Sequence, residues 1–558
     1  MLTQPSIKYQ PAKIIDFPAR TWPSKQLKAP PRWCSTDLRD GNQALANPMD
    51  HAKKMAFFKH LIECGFKEIE VAFPAASQTD FDFVRLLIEG NHIPDDVTIQ
   101  VMTQSRVDLI ERTIQSLVGA KKAIVHIYNA TAPVFREIVF CQDKPATLEL
   151  AVQGVKHIRQ LCEQYPDTQW TLQYSPETFC FTEPDFALEV CEAAAKTWQP
   201  SLERPMILNL PTTVEVNTPN VFADQIEHFI TSFSSLENIT ISVHPHNDRG
   251  TGVATAEMAI LAGAQRVEGC LFGNGERTGN VDLVTLAMNL YSQGVYPNLD
   301  FSDMRRTVEL VEECNELPVH PRHPYAGALA FTAFSGSHQD AIKKGFAAQK
   351  LTSSTVWQIP YLPLDPKDIG CSYEEVIRVN SQSGKSGAAW LLQENHGLFL
   401  PRKLQIDFSK RVKNHTDKTG HEMPLADVWR LFRESYRLNP DDKGQMTLMD
   451  YRSHSSNGLQ EIRATLRYQE KTWQLVGEGK GLLSAMLDAL RKRFNWQINI
   501  SDFHEHTLGQ QTKSKAVSYV QIESDQATPS FGVAIDEDST KASLQALINA
   551  CHPLFKAT

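Results

Sequence analysis

The chain has 558 residues, of which 42% are hydrophobic and 22% charged, and a formal net charge of −9. This size and composition predict a globular protein of about two to four domains and exclude a disordered or fibrous chain. There is no long block of like charge and no run of about 18 apolar residues, so the sequence disfavours nucleic acid and membranes as partners. Residues 1–32 lack the apolar core of a signal peptide, and we therefore expect a cytoplasmic protein.

The ten cysteines include no CxxC pair. A zinc finger or a disulfide framework depends on regular cysteine spacing, so the sequence favours neither. We expect most of these cysteines to be small buried hydrophobic residues.

Residues 1–32 carry six prolines among polar residues. Proline fixes its own φ and lacks an N–H donor, which disfavours both a helix and a central strand. We therefore predict an extended N-terminal arm over residues 1–32, suited to wrapping a neighbouring subunit.

Residues 33–307 alternate between strand-like runs and amphipathic helical patterns. Eight such pairs in about 260 residues predict an α/β fold, a (β/α)₈ or TIM barrel, as the catalytic domain. The predicted strands are Arg32–Ser35, Glu68–Phe73, Thr98–Met102, Ala123–Tyr128, Thr171–Tyr174, Met206–Leu210, Ile239–Val243 and Arg266–Phe272. The predicted helices are Asp50–Glu63, Asp80–Ile88, Val107–Leu117, Thr147–Cys162, Asp185–Ala195, Pro219–Ile230, Val253–Leu261 and Val281–Leu290.

Polar residues fall at the ends of these predicted strands. In a TIM barrel the active site lies at the C-terminal ends of the strands, so these residues are candidates for it. A role as caps or turn residues explains any one of them but not readily all. They are Arg39 and Asp40 after strand 1, His126 and Tyr128 at strand 4, Ser175 and Glu177 after strand 5, Thr213 after strand 6, His244 and His246 after strand 7, and Asn280 after strand 8.

Four of these residues form a candidate metal site. His244 and His246 are two positions apart at a strand end, so their side chains point to the same face. The carboxylate of Asp40 and the amide oxygen of Asn280 complete a mixed nitrogen and oxygen set, which suits a divalent ion with open positions for a substrate. These ligands are compatible with Mg²⁺, Mn²⁺ and Zn²⁺ and do not choose between them.

Two glycine-rich segments resemble phosphate-binding loops. Residues 273–279 have the spacing G-x-G-x-x-x-G and close the series of βα units, whereas a dinucleotide loop opens one. Residues 383–386 read SGKS, but Val379 stands where a P-loop has its first glycine. We expect neither segment to bind a nucleotide.

The last 251 residues divide into two parts. Residues 308–438 lose the regular alternation, with a short helix predicted over 334–345 and a proline-rich extended segment over 357–366. This part is predicted to form linker subdomains. Residues 439–558 read from about residue 460 as two strand-strand-helix units, which predicts a small duplicated α+β domain with a regulatory or oligomerisation role.

Five motifs together resemble the 2-isopropylmalate synthase family, in its long form with a C-terminal leucine-sensing domain. The likeness covers nearly the whole chain. The first three motifs also occur in the wider superfamily of acyl-CoA and 2-oxo acid condensing enzymes and lyases, whereas His338 and Tyr361 narrow the likeness to this family. The motifs are Asp37–Leu45, His244–Asp248, Gly273–Asn280, Phe334–Asp340 and Arg378–Lys385.

The resemblance implies condensation of acetyl-CoA with 3-methyl-2-oxobutanoate (2-oxoisovalerate) and water, giving (2S)-2-isopropylmalate and CoA. It also implies a homodimer, Mg²⁺ with Mn²⁺ or Zn²⁺ as alternatives, and leucine as a feedback inhibitor bound by residues 439–558. The turn around Lys480 departs from the asparagine and proline common there in the family, which bears on leucine sensitivity. The resemblance implies that Arg39 stabilises the alkoxide and that Thr213 binds the carboxylate of the oxo acid. The pocket for the oxo acid would be formed by His126, Tyr128 and Ser175. Proton abstraction would be carried out by Glu177, His338 or Tyr361, of which His338 and Tyr361 come from the partner subunit.

Three other functions remain open at this stage. Homocitrate and citramalate synthases differ in the oxo acid side chain that they accept, and a retro-aldol lyase shares the barrel and metal site without needing a large effector domain. A barrel that has lost catalysis would be expected to lack Arg39 or Glu177, and both are present.

Overall fold

The structure is a computed structural model that describes residues 14–352, 355–373, 376, 385–419, 421–438, 444–456, 458–508, 514–525 and 527–555. The chain divides into two compact units, residues 1–330 with 366–371, and residues 331–365 with 372–558. Among the described residues, no helix has the length and apolar character needed to cross a bilayer. Residues 1–13 of the predicted arm and residues 378–384 of the fifth motif lie outside the described part of the chain.

The first unit contains a closed barrel of eight parallel strands in sequential order, in which the first strand pairs with the eighth. The TIM-barrel prediction is therefore confirmed. The strands are β1 (Arg32–Ser35), β2 (Glu68–Ala72), β3 (Thr98–Gln104), β4 (Lys122–Ala130), β5 (Gln169–Glu177), β6 (Met206–Pro211), β7 (Ile239–His244) and β8 (Arg266–Gly269).

A helix follows each strand. Aspartate caps fix several starts, as where the Asp143 side chain accepts from the Ala146 N–H, and proline occupies the first turn of three helices. The helices are α1 (His51–Glu63), α2 (Gln78–Glu89), α3 (Val107–Leu117), α4 (Lys144–Cys162), α5 (Pro184–Trp198), α6 (Pro219–Ser232), α7 (Gly252–Leu261) and α8 (Leu283–Ser292), with α9 (Met304–Asn315) after them.

The eighth strand is shorter than the sequence predicts. It ends at Gly269 and not at Phe272, because residues 271–273 form a tight turn in which Phe272 has a φ of 55°. This turn directs the chain into the glycine-rich loop that carries Asn280.

The described part of the N-terminal arm lies against its own barrel. Trp22 is buried, and its indole Nε1 donates to Asp224 Oδ1 at 2.8 Å. The Thr21 N–H donates to Glu227 Oε2 at 2.7 Å, so both partners are on α6. Wrapping of a neighbouring subunit by the arm, residues 1–32, stays a prediction.

The described part of the second unit begins with four helices, of which the sequence predicted only the one near residues 334–345. In α12 and α13 the buried apolar residues are spaced four apart, as in Val428, Phe432 and Tyr436. This narrow stripe on otherwise charged helices is easily missed in a sequence. The helices are α10 (Gly336–Leu351), α11 (Lys385–His396), α12 (Arg402–Thr419) and α13 (Leu425–Tyr436).

The C-terminal part of this unit is a duplicated α+β domain, as predicted, but each copy has three antiparallel strands before its helix. The missed strand is β9, which has a single buried residue, Leu448, and so lacks a hydrophobic alternation. One copy is β9 (Thr447–Ser456), β10 (Leu459–Tyr468), β11 (Lys471–Gly479) and α14 (Leu482–Phe494), and the other is β12 (Ile498–Leu508), β13 (Lys515–Ser524), β14 (Ala527–Asp536) and α15 (Ser539–Ala550), followed by α16 (His552–Phe555).

The two copies use the same contact between strand and helix. A Cβ atom at Gly532 of β14 would overlap the backbone of Ala546 and Ala550 in α15. Gly477 of β11 faces two alanines of α14 in the same way, again four residues apart. Glycine opposite small residues lets each helix lie close on its sheet, which supports the duplication.

Eight of the ten cysteines are buried, Cys371 is half-buried and Cys141 is exposed. Burial raises the pKa of the Cys64 and Cys162 thiols to about 12 and that of Cys314 to about 11. These thiols are therefore protonated and behave as small hydrophobic groups, as the sequence predicts.

Candidate active site

A cavity of about 250 Å³ opens at the C-terminal ends of the barrel strands. Nine of the ten barrel residues predicted for the site line it, and the tenth, Asn280, contacts one of the nine. The lining residues are Arg39, Asp40, Gln43, Phe73, Met102, His126, Tyr128, Ser175, Glu177, Asn209, Pro211, Thr213, His244, His246, Glu276 and Arg277.

The loop after β1 turns Arg39 and Asp40 into this cavity. Residues Asp37–Gly41 form a single turn of π-helix, an irregularity often found at functional sites. The Asp37 carboxylate accepts from Ser35 Oγ at 2.7 Å and from the Leu271 N–H at 3.0 Å, which joins this loop to the one after β8. Burial raises the pKa of Asp37 to about 7.

The predicted metal ligands converge. The side-chain ligand atoms of Asp40, His244 and His246 all lie within 4.8 Å of one another. His244 Nε2 is 3.3 Å from Asp40 Oδ2 and 3.0 Å from Asn280 Oδ1. Two imidazoles, a carboxylate and an amide oxygen thus face one point.

The glycine-rich loop fixes the direction of the Asn280 amide. Asn280 Nδ2 donates to the carbonyl of Asn274 at 3.0 Å, so Oδ1 is left to face His244. Gly279 has a φ of +96°, and a Cβ there would overlap the carbonyl of Gly273. Only glycine allows the loop to close in this way, which explains the motif.

The donor set fits a divalent ion. Nδ1 of His246 is buried without a hydrogen-bond partner in the described part of the chain, as expected of an atom that binds a metal. Burial alone would raise the pKa of Asp40, but Arg39, His244 and His246 outweigh it and hold that pKa well below its usual range. Burial, together with His244, lowers the pKa of His246 to about 4. Asp40 is therefore ionised and His246 neutral, the states in which both bind metals.

Arg39 starts a chain of buried contacts that leads to the candidate oxo acid residues. Its Nη1 lies 3.0 Å from Asp40 Oδ1, and its Nε is paired with Glu70. Glu70 Oε2 contacts His126 Nδ1 at 2.9 Å, and His126 Nε2 contacts Ser175 Oγ at 2.8 Å. The arginine and the histidine are thus held in fixed positions in the cavity wall.

Two threonines hold a strained junction beside them. Thr213 has a φ of 60° and Thr178 a φ of 65°, both rare for β-branched residues. The Thr178 N–H donates to Thr213 Oγ1 at 2.8 Å, and Arg277 Nη2 donates to the Thr213 carbonyl at 2.7 Å. A strained backbone conformation of this kind persists only where neighbouring contacts stabilise it, and such conformations are common at functional sites.

Two titratable groups in the cavity have shifted pKa values. Burial raises the pKa of Glu177, and Arg39 opposes the shift. Burial raises the pKa of Tyr128 as well, against the hydrogen bond from Gln104 at 3.0 Å.

His338 and Tyr361 belong to the second unit and not to the barrel. Their rings stack on each other with centroids 4.1 Å apart and planes 25° apart, and Tyr361 is 61% exposed. The structure thus brings these two together, and their approach to a barrel stays a prediction.

Three family models match the chain. HMGL-like matches residues 30–311, alpha-isopropylmalate synthase, post-catalytic domain-like, matches 328–393, and the LeuA allosteric (dimerisation) domain matches 422–555. A 2-isopropylmalate synthase of Marinomonas sp. (strain MWYL1) is 98% identical over 556 residues, covering 100% of both chains. The chain belongs to the 2-isopropylmalate synthase family.

Other relatives extend the same result. A 2-isopropylmalate synthase of Pseudomonas syringae pv. syringae (strain B728a) is 54% identical over 558 residues, covering 100% of this chain and 99% of that one. A solved HMG-CoA lyase from Brucella melitensis matches with a TM-score of 0.42 and 17% identity, covering 52% of this chain and 100% of that one. The family assignment rests on the sequence relatives and not on this last likeness.

Sequence reasoning missed seven residues that line the cavity. Four of them are near the C-terminal ends of β2, β3 and β6. They are apolar or amide side chains, and the prediction from strand ends considered mainly charged, hydroxyl and imidazole groups. Glu276 and Arg277 lie inside the motif Gly273–Asn280, for which only Asn280 was predicted as a site residue. The seven are Gln43, Phe73, Met102, Asn209, Pro211, Glu276 and Arg277.

A larger hollow of about 1040 Å³ lies at the opposite end of the barrel, beside the start of β7. It has several exposed carboxylates, Glu189, Glu203 and Glu237 among them, and none of the converging groups described above. In TIM-barrel enzymes chemistry takes place at the other end, so the smaller cavity is the site.

Proposed function

We propose that the chain condenses acetyl-CoA with 3-methyl-2-oxobutanoate and water to give (2S)-2-isopropylmalate and CoA, the first committed step of leucine synthesis. The observation that carries this proposal is the convergence of Asp40, His244, His246 and Asn280 beside a buried arginine in one small cavity. A 2-oxo acid presents a carboxylate and a ketone oxygen side by side, and such a site can bind both.

The four ligands would hold a divalent ion, for which we propose Mg²⁺, with Mn²⁺ or Zn²⁺ as alternatives because imidazole and oxygen ligands suit all three. When bound, the ion supplies Lewis acidity toward the ketone. Asp40 lies beside the Arg39 guanidinium, so the carboxylate is kept ionised and ready as a ligand.

Arg39 is proposed to stabilise the oxygen of the ketone as it becomes an alkoxide. Its side chain is 8% exposed and is fixed by Asp40 and Glu70, so it needs little reorganisation when charge develops. Fixed donors in a site that excludes water stabilise developing charge more than mobile ones do.

The remaining wall of the cavity is proposed to bind the oxo acid. Thr213 would bind its carboxylate, and His126, Tyr128 and Ser175 would surround its side chain. His126 and Ser175 are already held to each other at 2.8 Å, so the pocket is formed before the substrate arrives.

Condensation also requires a base, since the acetyl methyl group must lose a proton before its carbon can attack the ketone carbon. We propose Glu177, His338 or Tyr361 for this role. The raised pKa of Glu177 brings that carboxylate closer to the range in which a general base works at neutral pH. His338 and Tyr361 are proposed to enter from the partner subunit of a homodimer, where they would complete the site, and water then cleaves the thioester to release CoA.

A thiol-release assay with acetyl-CoA and a panel of 2-oxo acids tests this function. The expected result is the highest kcat/KM with 3-methyl-2-oxobutanoate. Preference for 2-oxoglutarate or pyruvate would indicate a homocitrate or citramalate synthase. Cleavage of a hydroxyacyl-CoA without any condensation would indicate a lyase, and either outcome overturns the proposal.

We also propose that leucine binds the C-terminal domain and inhibits the enzyme. A depression of about 610 Å³ lies where α14 and α15 begin, lined by the apolar Leu482, Leu483, Leu487 and Ile500. Helix N-termini favour a carboxylate, and Glu505 at the same depression can pair with an ammonium group. Glu505 Oε2 is oriented by Ser543 Oγ at 2.7 Å.

Titration of leucine against the full-length enzyme tests this second proposal. Wild-type activity is expected to fall, and Glu505→Gln is expected to need a higher leucine concentration with its uninhibited rate unchanged. The coupling should be about 1–3 kcal/mol, as is usual between an effector and an active site. If millimolar leucine leaves the wild-type enzyme unaffected, the domain is an oligomerisation module and the departure at Lys480 is the first place to look.

A further inference from the structure

Glu268 of β8 is fully buried below the metal ligands, and one of its carboxylate oxygens contacts two sides of the active site. Glu268 Oε2 lies 2.9 Å from His244 Nδ1 and accepts from Asn209 Nδ2 at 3.0 Å. His244 is a proposed metal ligand, and Asn209 lines the cavity. A single oxygen thus connects the metal site with the oxo acid pocket.

The contact determines which nitrogen of His244 faces the metal. A carboxylate oxygen only accepts, so Nδ1 of His244 must carry the hydrogen. With the hydrogen held on Nδ1, Nε2 is the nitrogen left to bind a metal ion, and Nε2 is the atom that faces Asp40 and Asn280. The ring is thereby held in the tautomer that can bind a metal.

The contact also reaches the substrate side. Asn209 Nδ2 donates both to Glu268 and to Ser175 Oγ, the latter at 3.1 Å. Ser175 in turn contacts His126 Nε2. The position of the Asn209 amide therefore depends on Glu268, and the position of Ser175 depends on that amide.

We propose that Glu268 is a positioning residue that fixes the metal-binding tautomer of His244 and, through Asn209, the wall of the 2-oxo acid pocket. The inference rests on the proposed metal-dependent function. It goes beyond that function because it assigns control over two binding sites to a glutamate inside a strand that does not itself line the cavity.

The other oxygen of Glu268 makes Glu268→Gln a sharp test, because it accepts three donors at 2.7–2.9 Å. A glutamine must keep its carbonyl oxygen toward these donors, so its NH₂ group replaces Oε2 and faces His244. Nδ1 of His244 must then accept, Nε2 must carry the hydrogen, and the ring can no longer bind a metal without breaking that contact. The donors are Arg266 Nη1, Gln173 Nε2 and Gln100 Nε2.

Glu68→Gln is the matched control. Glu68 is also a buried glutamate of the barrel paired with Arg266, through Arg266 Nε, but its described partners are Arg266 and Arg32 and do not include a metal ligand. Loss of its charge should lower the melting temperature as much as loss of the Glu268 charge does. A general loss of barrel stability therefore appears in both variants, whereas an effect on the His244 tautomer appears only in Glu268→Gln.

The experiment is titration of Mn²⁺ alone into the metal-free full-length protein, followed by the electron paramagnetic resonance of free Mn²⁺. Glu268→Gln is expected to weaken Mn²⁺ binding roughly 10- to 100-fold, as loss of an outer partner of a metal-binding histidine typically does, with Glu68→Gln within about twofold of wild type. If Glu268→Gln does not fold, Glu268→Asp is judged by the same criterion, because its shorter side chain withdraws the oxygen from His244.

Mn²⁺ affinity of a folded Glu268 variant within about twofold of wild type overturns the inference, and so does equal weakening in Glu68→Gln. Because Mn²⁺ binding is measured without substrates, the result tests the inference independently of the proposed function. A chain that binds Mn²⁺ as expected but condenses no oxo acid contradicts the function and leaves the inference standing.

Discussion

The interior of the barrel and the core of the C-terminal domain are equally buried but differ in chemistry. The barrel encloses a network of charged side chains, Glu68, Glu70, Arg266 and Glu268 among them, bonded across the lumen between strands that are not neighbours. Among the described residues of the second unit, no Asp, Glu, Lys or Arg is buried. A buried charge is unfavourable unless it is paired. Buried charges in the barrel interior, and not in the C-terminal core, therefore indicate that the barrel needs charged groups in fixed positions.

The difference shows how each region meets its task. The barrel keeps groups such as Arg39 and His244 in single positions through paired charges, as their proposed roles in catalysis require. The core of the C-terminal domain holds helices on sheets, and at Gly532 and Gly477 it does so by placing glycine against alanine. Substitutions in the barrel interior should therefore lower activity more than they lower stability. Substitutions in the C-terminal core should lower stability more than they lower activity.

The largest effect should come from Asp40→Ala. Removing this ligand is expected to abolish metal binding and to lower kcat/KM by at least about 10³-fold, because Lewis acid catalysis is worth several kcal/mol. The measurement is metal content together with steady-state kinetics, with the exposed Asp450→Ala of β9 as a control. His246→Ala should behave like Asp40→Ala, and full activity with bound metal in either variant would contradict the proposed ligand set.

His338→Ala should affect turnover alone. We expect kcat to fall about 10²- to 10⁴-fold, the range for a lost general base, while binding of the 2-oxo acid stays normal because proton abstraction is a later step. Calorimetric titration of the oxo acid separates the two effects. Tyr361→Phe, which keeps the stacked ring, indicates whether the hydroxyl group matters. An unchanged kcat in His338→Ala would remove that residue from the mechanism.

Gly532→Ala should affect stability alone. Its methyl group would meet the backbone of α15, which cannot move aside cheaply, so we expect a loss of about 1–3 kcal/mol in the unfolding of the C-terminal domain. Gly481→Ala is the control, because a Cβ there meets nothing within 4 Å. Thermal unfolding and activity in the absence of leucine are the two measurements. Equal melting temperatures for the two variants would show that the close packing is not required.

The smallest effect concerns pH and should appear only in the barrel. Burial raises the pKa of Asp37 to about 7, so the folded state keeps a proton that the unfolded state has lost. Stability is therefore lost as pH rises through this value, by about 1.4 kcal/mol between pH 6 and 8. Asp37→Asn should lack this dependence, as shown by denaturant unfolding of both proteins at each pH. Parallel slopes for the two proteins would indicate an ordinary pKa.

The sequence predicted most of what periodicity and strand ends can reveal. The alternation of strand and helix patterns predicted the eight strands. It therefore also predicted the residues at their C-terminal ends, such as Asp40 after β1 and His244 at the end of β7. Glu268 and Asn209 could not be recognised in the same way, because a polar residue inside a short strand has no signature until its partners across the lumen are known. The strand β9 and the helix α12 were missed for other reasons, since β9 has a single buried residue and the apolar stripe of α12 is narrow.

The burial of the thiols has a practical consequence for any assay that follows CoA with a disulfide reagent. Eight cysteines are shielded in the fold and Cys371 is only partly accessible, so the reagent chiefly meets Cys141 on the protein. The blank reaction is therefore set by one side chain, and Cys141→Ser should nearly abolish it. In that variant a slow rise in free thiol would report opening of the core, and the same reagent would then measure both turnover and unfolding.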